Sequence, residues 1–393
     1  MAHELEHAEV LSDYQNEIYA SGQAPPHPMR WRELEAAALA ALPPEAADYL
    51  AGGAGGEETV RANREAFDRW RIVPRMLRGV GTRDLRTDVL GTSMPAPVLL
   101  APVGVQRILH DDAELATAAA AGRVGVPYVH STAASTSIED AAAANGDGPR
   151  WFQLYYPTDR EMAVSFVSRA AAAGYTAVVI TLDTLVLGWR PRDLSHCYLP
   201  FLEGIGLANY TSDPVFRSRL GADADPDALA PTVARWMEVF ANPDLSWDDI
   251  AWLRERTDVP VLLKGICSAD DARHAGEVGV DGLIVSNHGG RQVDGAVAAL
   301  DALPDVCAAV PPRLPVLLDS GIRTGADAVK ALALGAQAVL LGRPAMWGLA
   351  LGGEEGVRHV LRAFLAELDN TLAMAGYRSP RELSAQSLAV RPA

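Results

Sequence analysis

Residues 286–292, Ser-Asn-His-Gly-Gly-Arg-Gln, set a titratable imidazole three positions before a permanent cation. A neutral imidazole takes up a proton near physiological pH, and a guanidinium grips a carboxylate with two parallel bonds. His288 and Arg291 could therefore hold an organic acid and withdraw a proton from it. Gly289 and Gly290 between them permit a tight turn and a close approach to a flat ligand. A histidine after a strand is, by itself, an ordinary loop residue, so the reading depends on matching parts elsewhere.

The elements that must position these residues show in the apolar pattern. From about residue 97 short apolar runs alternate with alanine-rich stretches at helical spacing. Strands are predicted at Val98–Ala101, Pro127–His130, Trp151–Leu154, Ala177–Leu182, Val261–Lys264, Gly282–Ser286, Val316–Asp319 and Ala338–Gly342. Their apolar runs are continuous, as expected of strands covered on both faces. Helices are predicted at Asp112–Arg123, Asp159–Ala173, Trp247–Arg256, Ser268–Val278 and Gly325–Leu334, with Ser137 and Ser268 as caps ahead of first-turn carboxylates. Eight such units over roughly 250 residues predict a (β/α)8 TIM barrel. A doubly wound open sheet is the competitor, but its Gly-x-Gly-x-x-Gly fingerprint after the first strand is missing.

Two regions fall outside the alternation. Residues 1–96, with Ala40–Leu50 and the glycine cluster at 52–56, read as an N-terminal helical segment packed on the barrel of residues 97–393. Residues 190–246 form a long connection after the fourth strand, with prolines at 191, 200, 214, 226, 231 and 243. Loops of that length serve as lids or binding loops. This one is expected to be ordered near Arg190 and mobile further on.

Functional side chains of a barrel gather where its strands end. Here those ends read Ala101-Pro102-Val103-Gly104, Ser131-Thr132, Gln153-Leu154-Tyr155, Thr181-Leu182-Asp183, Lys264, Ser286-Asn287-His288, Asp319-Ser320-Gly321 and Gly342-Arg343. The segments Asp319–Arg323 and Gly342-Arg343, after the last two strands, sit where barrels usually bind phosphate.

Composition narrows the partners. With 50 acidic and 34 basic side chains the net charge is −16, which argues against nucleic acid. Cys197, Cys267 and Cys307 match neither zinc spacing nor a disulfide framework, and a reducing cytosol suits them. The acidic opening Met1–His7 lacks the layout of a signal peptide, there is no long apolar run, and the ending Val390–Ala393 is not of the Ser-Lys-Leu type. A cytoplasmic location without membrane attachment is expected.

From Asp48-Tyr49 to about Tyr377 the chain resembles the FMN-dependent L-2-hydroxy acid oxidases and dehydrogenases. The Ser286–Gln292 segment carries the resemblance, with Leu262-Leu-Lys-Gly265, Asp319-Ser-Gly-Ile-Arg323 and Gly342-Arg-Pro344 in the expected order. Within that family, Tyr14–Tyr19, Gly188–Asp193 and Asn209–Val215 are most similar to the lactate 2-monooxygenase pattern.

The resemblance implies a role for each matching residue. His288 would be the base and Asp183 its carboxylate partner. Arg291 and Tyr49 would bind the substrate carboxylate, with Arg190 assisting, and Tyr155 would hydrogen-bond the substrate hydroxyl. Lys264 would stand beside the N1/C2 edge of FMN, and the backbone of Pro102, Val103 and Gly104 would face N5. Ser131, Gln153, Thr181 and Ser286 would be further flavin contacts, Asp319 a ribityl contact, and Gly321, Arg323, Gly342 and Arg343 the phosphate site. Tyr210 is read as either a lid residue reaching the pocket or a surface residue. Ala133 stands where plant glycolate oxidases carry tryptophan, which implies room above the flavin, and Gly104 where many relatives carry alanine, which implies space near N5.

The expected function is FMN-dependent oxidation of a small L-2-hydroxy acid, lactate first, with O2 as acceptor and decarboxylation to acetate in the site. The alternatives are an oxidase releasing keto acid and peroxide, a dehydrogenase serving a quinone or carrier, and a non-enzymatic flavin-binding barrel. A homo-oligomer, tetramer or octamer, is expected from the resemblance.

Overall fold

The computed structural model describes residues 14–220 and 228–390. Eight parallel strands close into a barrel: β1 (Val98–Leu100), β2 (Tyr128–Ser131), β3 (Arg150–Tyr155), β4 (Val178–Thr181), β5 (Val261–Lys264), β6 (Gly282–Val285), β7 (Val316–Leu318) and β8 (Ala338–Leu341). Each strand pairs with the next in sequence, and β8 returns to β1 with Leu340 opposite Leu99. The observed architecture is the predicted (β/α)8 barrel.

The continuous apolar runs have a direct cause. Leu99, Val129, Trp151, Val179, Leu262, Ile284, Leu317 and Leu340 fill the barrel interior. Their neighbours Leu100, Phe152, Ile180, Leu263, Val285 and Leu318 pack outward against the helices. Burying one such side chain stabilises the fold by about 1.5–3 kcal/mol, so neither face tolerates alternation with polar residues. Beneath the barrel a hairpin, Thr87–Val89 with Thr92–Met94, adds Val89 and Met94 to the interior cluster. Thr92 Oγ1 also accepts a hydrogen bond from Trp151 Nε1 at 2.9 Å.

The helix starts follow their caps. Ser137 accepts from the amide of Asp140, and Ser268 from those of Asp270 and Asp271. The final helix, Arg343–Ala375, is broken at Gly352-Gly353.

The N-terminal segment is helical over residues 14–21, then forms Trp31–Ala41, Pro44–Ala51 and Glu58–Asp68. The segment Ala40–Leu50 is divided at Leu42-Pro43, because consecutive prolines cannot extend a helix but can start one. Trp31 stacks on Trp347 of the last helix, and Trp70–Ile72 pairs with Leu388–Val390. The first thirteen residues and the last three, including most of the Val390–Ala393 ending, lie outside the described residues.

The connection after β4 consists largely of short helices: Pro191–Ser195, Pro200–Glu203, Ala208–Thr211, Pro214–Ser218 and Leu229–Phe240. Pro191, Pro200 and Pro214 each begin one, where a missing N–H costs nothing. The mobility expected further along bears in part on residues 221–227, which lie outside the described residues. Tyr210 is neither a pocket-lining lid residue nor a surface one: it is fully buried, with its ring edge-on to Phe166 and Phe216. Among the described residues no helix is long and apolar enough to cross a membrane.

Candidate active site

The strand ends of the barrel open into a cavity. Its wall combines Pro102–Gly104 after β1, Tyr155 at the end of β3, Lys264 at the end of β5, the His288 turn after β6, Asp319–Arg323 after β7 and Gly342-Arg343 after β8. Tyr49 from the N-terminal segment and Arg190 from the long connection complete it.

His288 has a left-handed backbone, φ +58°, followed by Gly289 at +65° and Gly290 at +78°. A non-glycine residue there costs about 1–2 kcal/mol, so the surroundings must hold it. Ser286 Oγ accepts from the His288 amide at 3.1 Å, and Ser320 Oγ from the Gly289 amide at 3.0 Å. The imidazole Nδ1 meets Asp183 Oδ1 at 2.6 Å, and Thr184 Oγ1 stands 3.2 Å from the same nitrogen. On the other side Nε2 is 3.4 Å from the Tyr155 hydroxyl.

Burial pushes the His288 imidazole below its ordinary value, with Asp183 offsetting only part of the effect. For Asp183, burial works upward, but His288 and Lys264 outweigh it and hold the carboxyl at about 2. The pair thus rests as a neutral ring against a carboxylate, with Nε2 free to accept a proton. Burial raises the Tyr155 hydroxyl to about 12, which keeps it a donor.

Lys264 is buried and donates to Ser286 Oγ at 3.0 Å, with Asp319 Oδ2 at 3.3 Å and Asp183 Oδ2 at 4.0 Å. Burial alone would lower its pKa; Asp319 and Asp183 raise it instead, so the cation persists. Just below the cavity wall, Ser131 Oγ donates to Gln153 Oε1, and Gln153 Nε2 donates to Thr181 Oγ1, both at 3.0 Å. Ser131, Gln153 and Thr181 thus form one buried hydrogen-bonded row, while buried Ser286 is tied instead to Lys264 and the His288 amide.

Arg291 donates to the carbonyls of Tyr49 at 2.6 Å and Gly52 at 2.8 Å, with its guanidinium 4.9 Å from the centre of the Tyr49 ring. Arg343 donates to the carbonyls of Gly289 and Gly52, both at 2.9 Å, and of Leu50 at 3.1 Å. Arg323 donates to the Ile322 carbonyl, while its buried Nε has no partner among the described residues. Burial, reinforced by neighbouring cations, pushes Arg291 down to about 9 and Arg323 and Arg343 to about 10. Half-buried cations bonded to carbonyls rather than carboxylates call for anions. Arg190 is more deeply buried, fastened to the Arg291 carbonyl at 3.1 Å and to Gln292 Oε1 at 2.8 Å.

The sequence reading missed several contributors. Thr184, Phe201, Phe240 and Leu187 line the cavity. Phe201 and Phe240 are gathered by Trp236, whose ring lies 4.5 and 4.9 Å from theirs. The five aromatic residues in the 201–240 stretch were the available signal.

A barrel with a carboxylate-backed imidazole at one part of its cleft and an arginine–glycine cradle at another is an oxidoreductase site of the flavin type. The chain belongs to the FMN-dependent dehydrogenase family, which matches residues 38–390. It is 45% identical over 376 residues to an FMN-dependent alpha-hydroxy acid dehydrogenase of Penicillium citrinum, covering 94% of this chain and 93% of the relative. It is 43% identical to an L-lactate oxidase of Lysinibacillus sphaericus, covering 90% and 91%. The crystal structure of mandelate oxidase superposes with a TM-score of 0.82 at 39% identity, covering 93% of this chain and 98% of that one. The protein is thus an FMN-dependent oxidoreductase of 2-hydroxy acids.

The residues present fit that cofactor. The unpartnered Arg323 Nε, together with Gly321 and Gly342, suits a phosphate, and Lys264 suits the negative edge of a reduced ring.

Proposed function

We propose that this enzyme oxidises small L-2-hydroxy acids, L-lactate first, with O2 as the final acceptor, and that the 2-keto acid is decarboxylated before release. The observation that carries the reading is His288, backed by Asp183 at 2.6 Å, with Nε2 facing the cavity.

In this reading Arg291 and Tyr49 bind the substrate carboxylate, assisted by Arg190. Tyr155 orients the substrate oxygen, and His288 Nε2 takes the proton as the alcohol carbon loses two electrons. Asp183 steadies the imidazolium that forms. FMN, when bound, supplies the two-electron acceptor. Pro102, Val103 and Gly104 would face its N5, Ser131, Gln153, Thr181 and Ser286 would support its ring, and Asp319 its ribityl chain. Gly321, Arg323, Gly342 and Arg343 would hold its phosphate, and Lys264 its N1/C2 edge.

The connection after β4 supports a closed site. Gly188 packs so tightly on the Arg291 carbonyl that a Cβ would stand 2.4 Å away, and Arg190 bridges to Gln292. A keto acid held behind that wall meets hydrogen peroxide and yields the shorter acid, carbon dioxide and water. End products from lactate under air test the proposal. Acetate and carbon dioxide are expected; equal pyruvate and peroxide would make the enzyme a simple oxidase, and no oxygen uptake would make it a dehydrogenase.

Ala133 favours a second reading, in which the acid carries a larger side chain. It lines the cavity with Phe201 and Phe240, and an apolar substituent would fit against them. We also place the protein in the cytoplasm, a reading supported by its three free cysteines, and as a tetramer or octamer. Exposed Tyr19, Met76, Leu77 and Met374 support self-association.

A further inference from the structure

The N-terminal helix Glu58–Asp68 touches the His288 turn through a buried amide pair. Asn63 Nδ2 donates to Asn287 Oδ1 at 2.8 Å, and Asn287 Nδ2 donates to Asn63 Oδ1 at 2.8 Å. Main-chain groups fix which way both amides point. The amide of Ala299 donates to Asn63 Oδ1 at 3.1 Å, and that of Gly290 to Asn287 Oδ1 at 3.1 Å. The Val297 carbonyl accepts from Asn287 Nδ2 at 3.0 Å. Neither amide can flip without breaking these bonds.

The same helix reaches the neighbouring turn. A Cβ on Gly321 would stand 2.7 Å from the Asn63 carbonyl oxygen, and Arg64 donates to the Gly321 carbonyl and to Asp327. Val60 presses on Gly290, where a Cβ would meet the Val60 nitrogen at 2.7 Å. One helix outside the barrel thus braces both the turn that carries His288 and the turn that carries Gly321.

We infer that Asn63 is a positioning residue for the oxidation, holding the left-handed backbone of His288 in place through the reciprocal amide pair with Asn287. The inference rests on the reading of His288 as the base. A helix interior disfavours asparagine, so a buried one has a specific partner to satisfy. A misplacement of about 1 Å in a reacting group can cost on the order of a hundredfold in rate.

The test compares the full-length holoenzyme with Asn63→Asp, Asn63→Ala and Asn63→Ser. Asn63→Asp puts an oxygen where Asn63 now donates to Asn287 Oδ1. The expected result is a limiting rate of flavin reduction by L-lactate about a hundredfold lower, with KM within about threefold. The isotope effect with 2-deuterated lactate should rise, while FMN affinity, read from flavin fluorescence quenching, stays within about threefold. Asn63→Ser should show a smaller loss of the same kind, and it decides the matter if the aspartate variant does not fold. A reduction rate within twofold of the parent in a flavin-loaded variant overturns the inference. So does a loss that excess FMN restores, since Asn63 would then serve only cofactor retention. His288→Gln is measured alongside: if it still reduces flavin, the base reading fails, whereas a dead His288→Gln beside a normal Asn63→Asp sinks the positioning role alone.

Discussion

Gly104 lies so close to Ala133 that a Cβ on it would stand 2.5 Å from the Ala133 carbonyl oxygen and 3.0 Å from the Ala133 Cβ. The turn after β1 is therefore seated directly on the turn after β2, and the space expected at Gly104 is filled by Ala133 where a Cβ would point. Gly104→Ala is expected to destabilise the protein by about 1–3 kcal/mol, read as a lower midpoint in denaturant. Because the nearest atom is main chain, adding Ala133→Gly should recover only a minor part. Full recovery in the double variant would place the conflict in the side chain instead.

The His288–Asp183 pair predicts the acid limb of the pH profile. Protonation of the imidazole abolishes its acceptor role, and burial holds its pKa below the ordinary 6.5, so kcat/KM should fall only below that pH. Asp183 is the neighbour that raises the His288 pKa. Asp183→Asn should therefore move the limb to still lower pH while cutting kcat by about 10²-fold or more. A limb that moves upward would contradict this assignment.

Arg291 spends one nitrogen on the carbonyls of Tyr49 and Gly52, leaving the rest of its fork for a carboxylate. Lysine offers no such fork. Arg291→Lys should raise the KM for lactate by about 10- to 150-fold, the equivalent of a charge-assisted bond of about 1.5–3 kcal/mol. Steady-state kinetics at saturating oxygen measure it, and an unchanged KM would remove Arg291 from substrate binding.

Ala133 tests the size of the acid. Ala133→Leu fills cavity space beside Phe201 and Phe240. It should lower kcat/KM for mandelate by about tenfold or more, while lactate changes little. If both acids suffer equally, the side chain of the substrate lies elsewhere.

The barrel was legible because continuous apolar runs such as Val261-Leu-Leu-Lys264 suit only strands covered on both faces, and predicted and observed strands differ by at most one residue at any end. That His288, Arg291 and Lys264 come together on one cavity was legible from their chemical type at or just after strand ends. Asn63 was not, because its partner is 224 positions away and nothing local distinguishes a buried amide from a solvated one. Phe201 and Phe240 were hidden for a similar reason: which face of the long connection turns inward is decided by stacking on Trp236. Tyr210 was misplaced because its burial depends on Phe166, from a different helix.

The break at Leu42-Pro43 aims the carbonyl end of the helix Pro44–Ala51 at Arg291 and Arg343. A helix end of that kind carries roughly half a negative charge, and no acid can neutralise it. A glutamate in its place would quieten the same crowded guanidiniums, yet it would switch off at low pH and rival the incoming acid for Arg291. Peptide dipoles avoid both faults: they restrain mutual repulsion at every pH and leave the full cationic charge available to whatever anion docks.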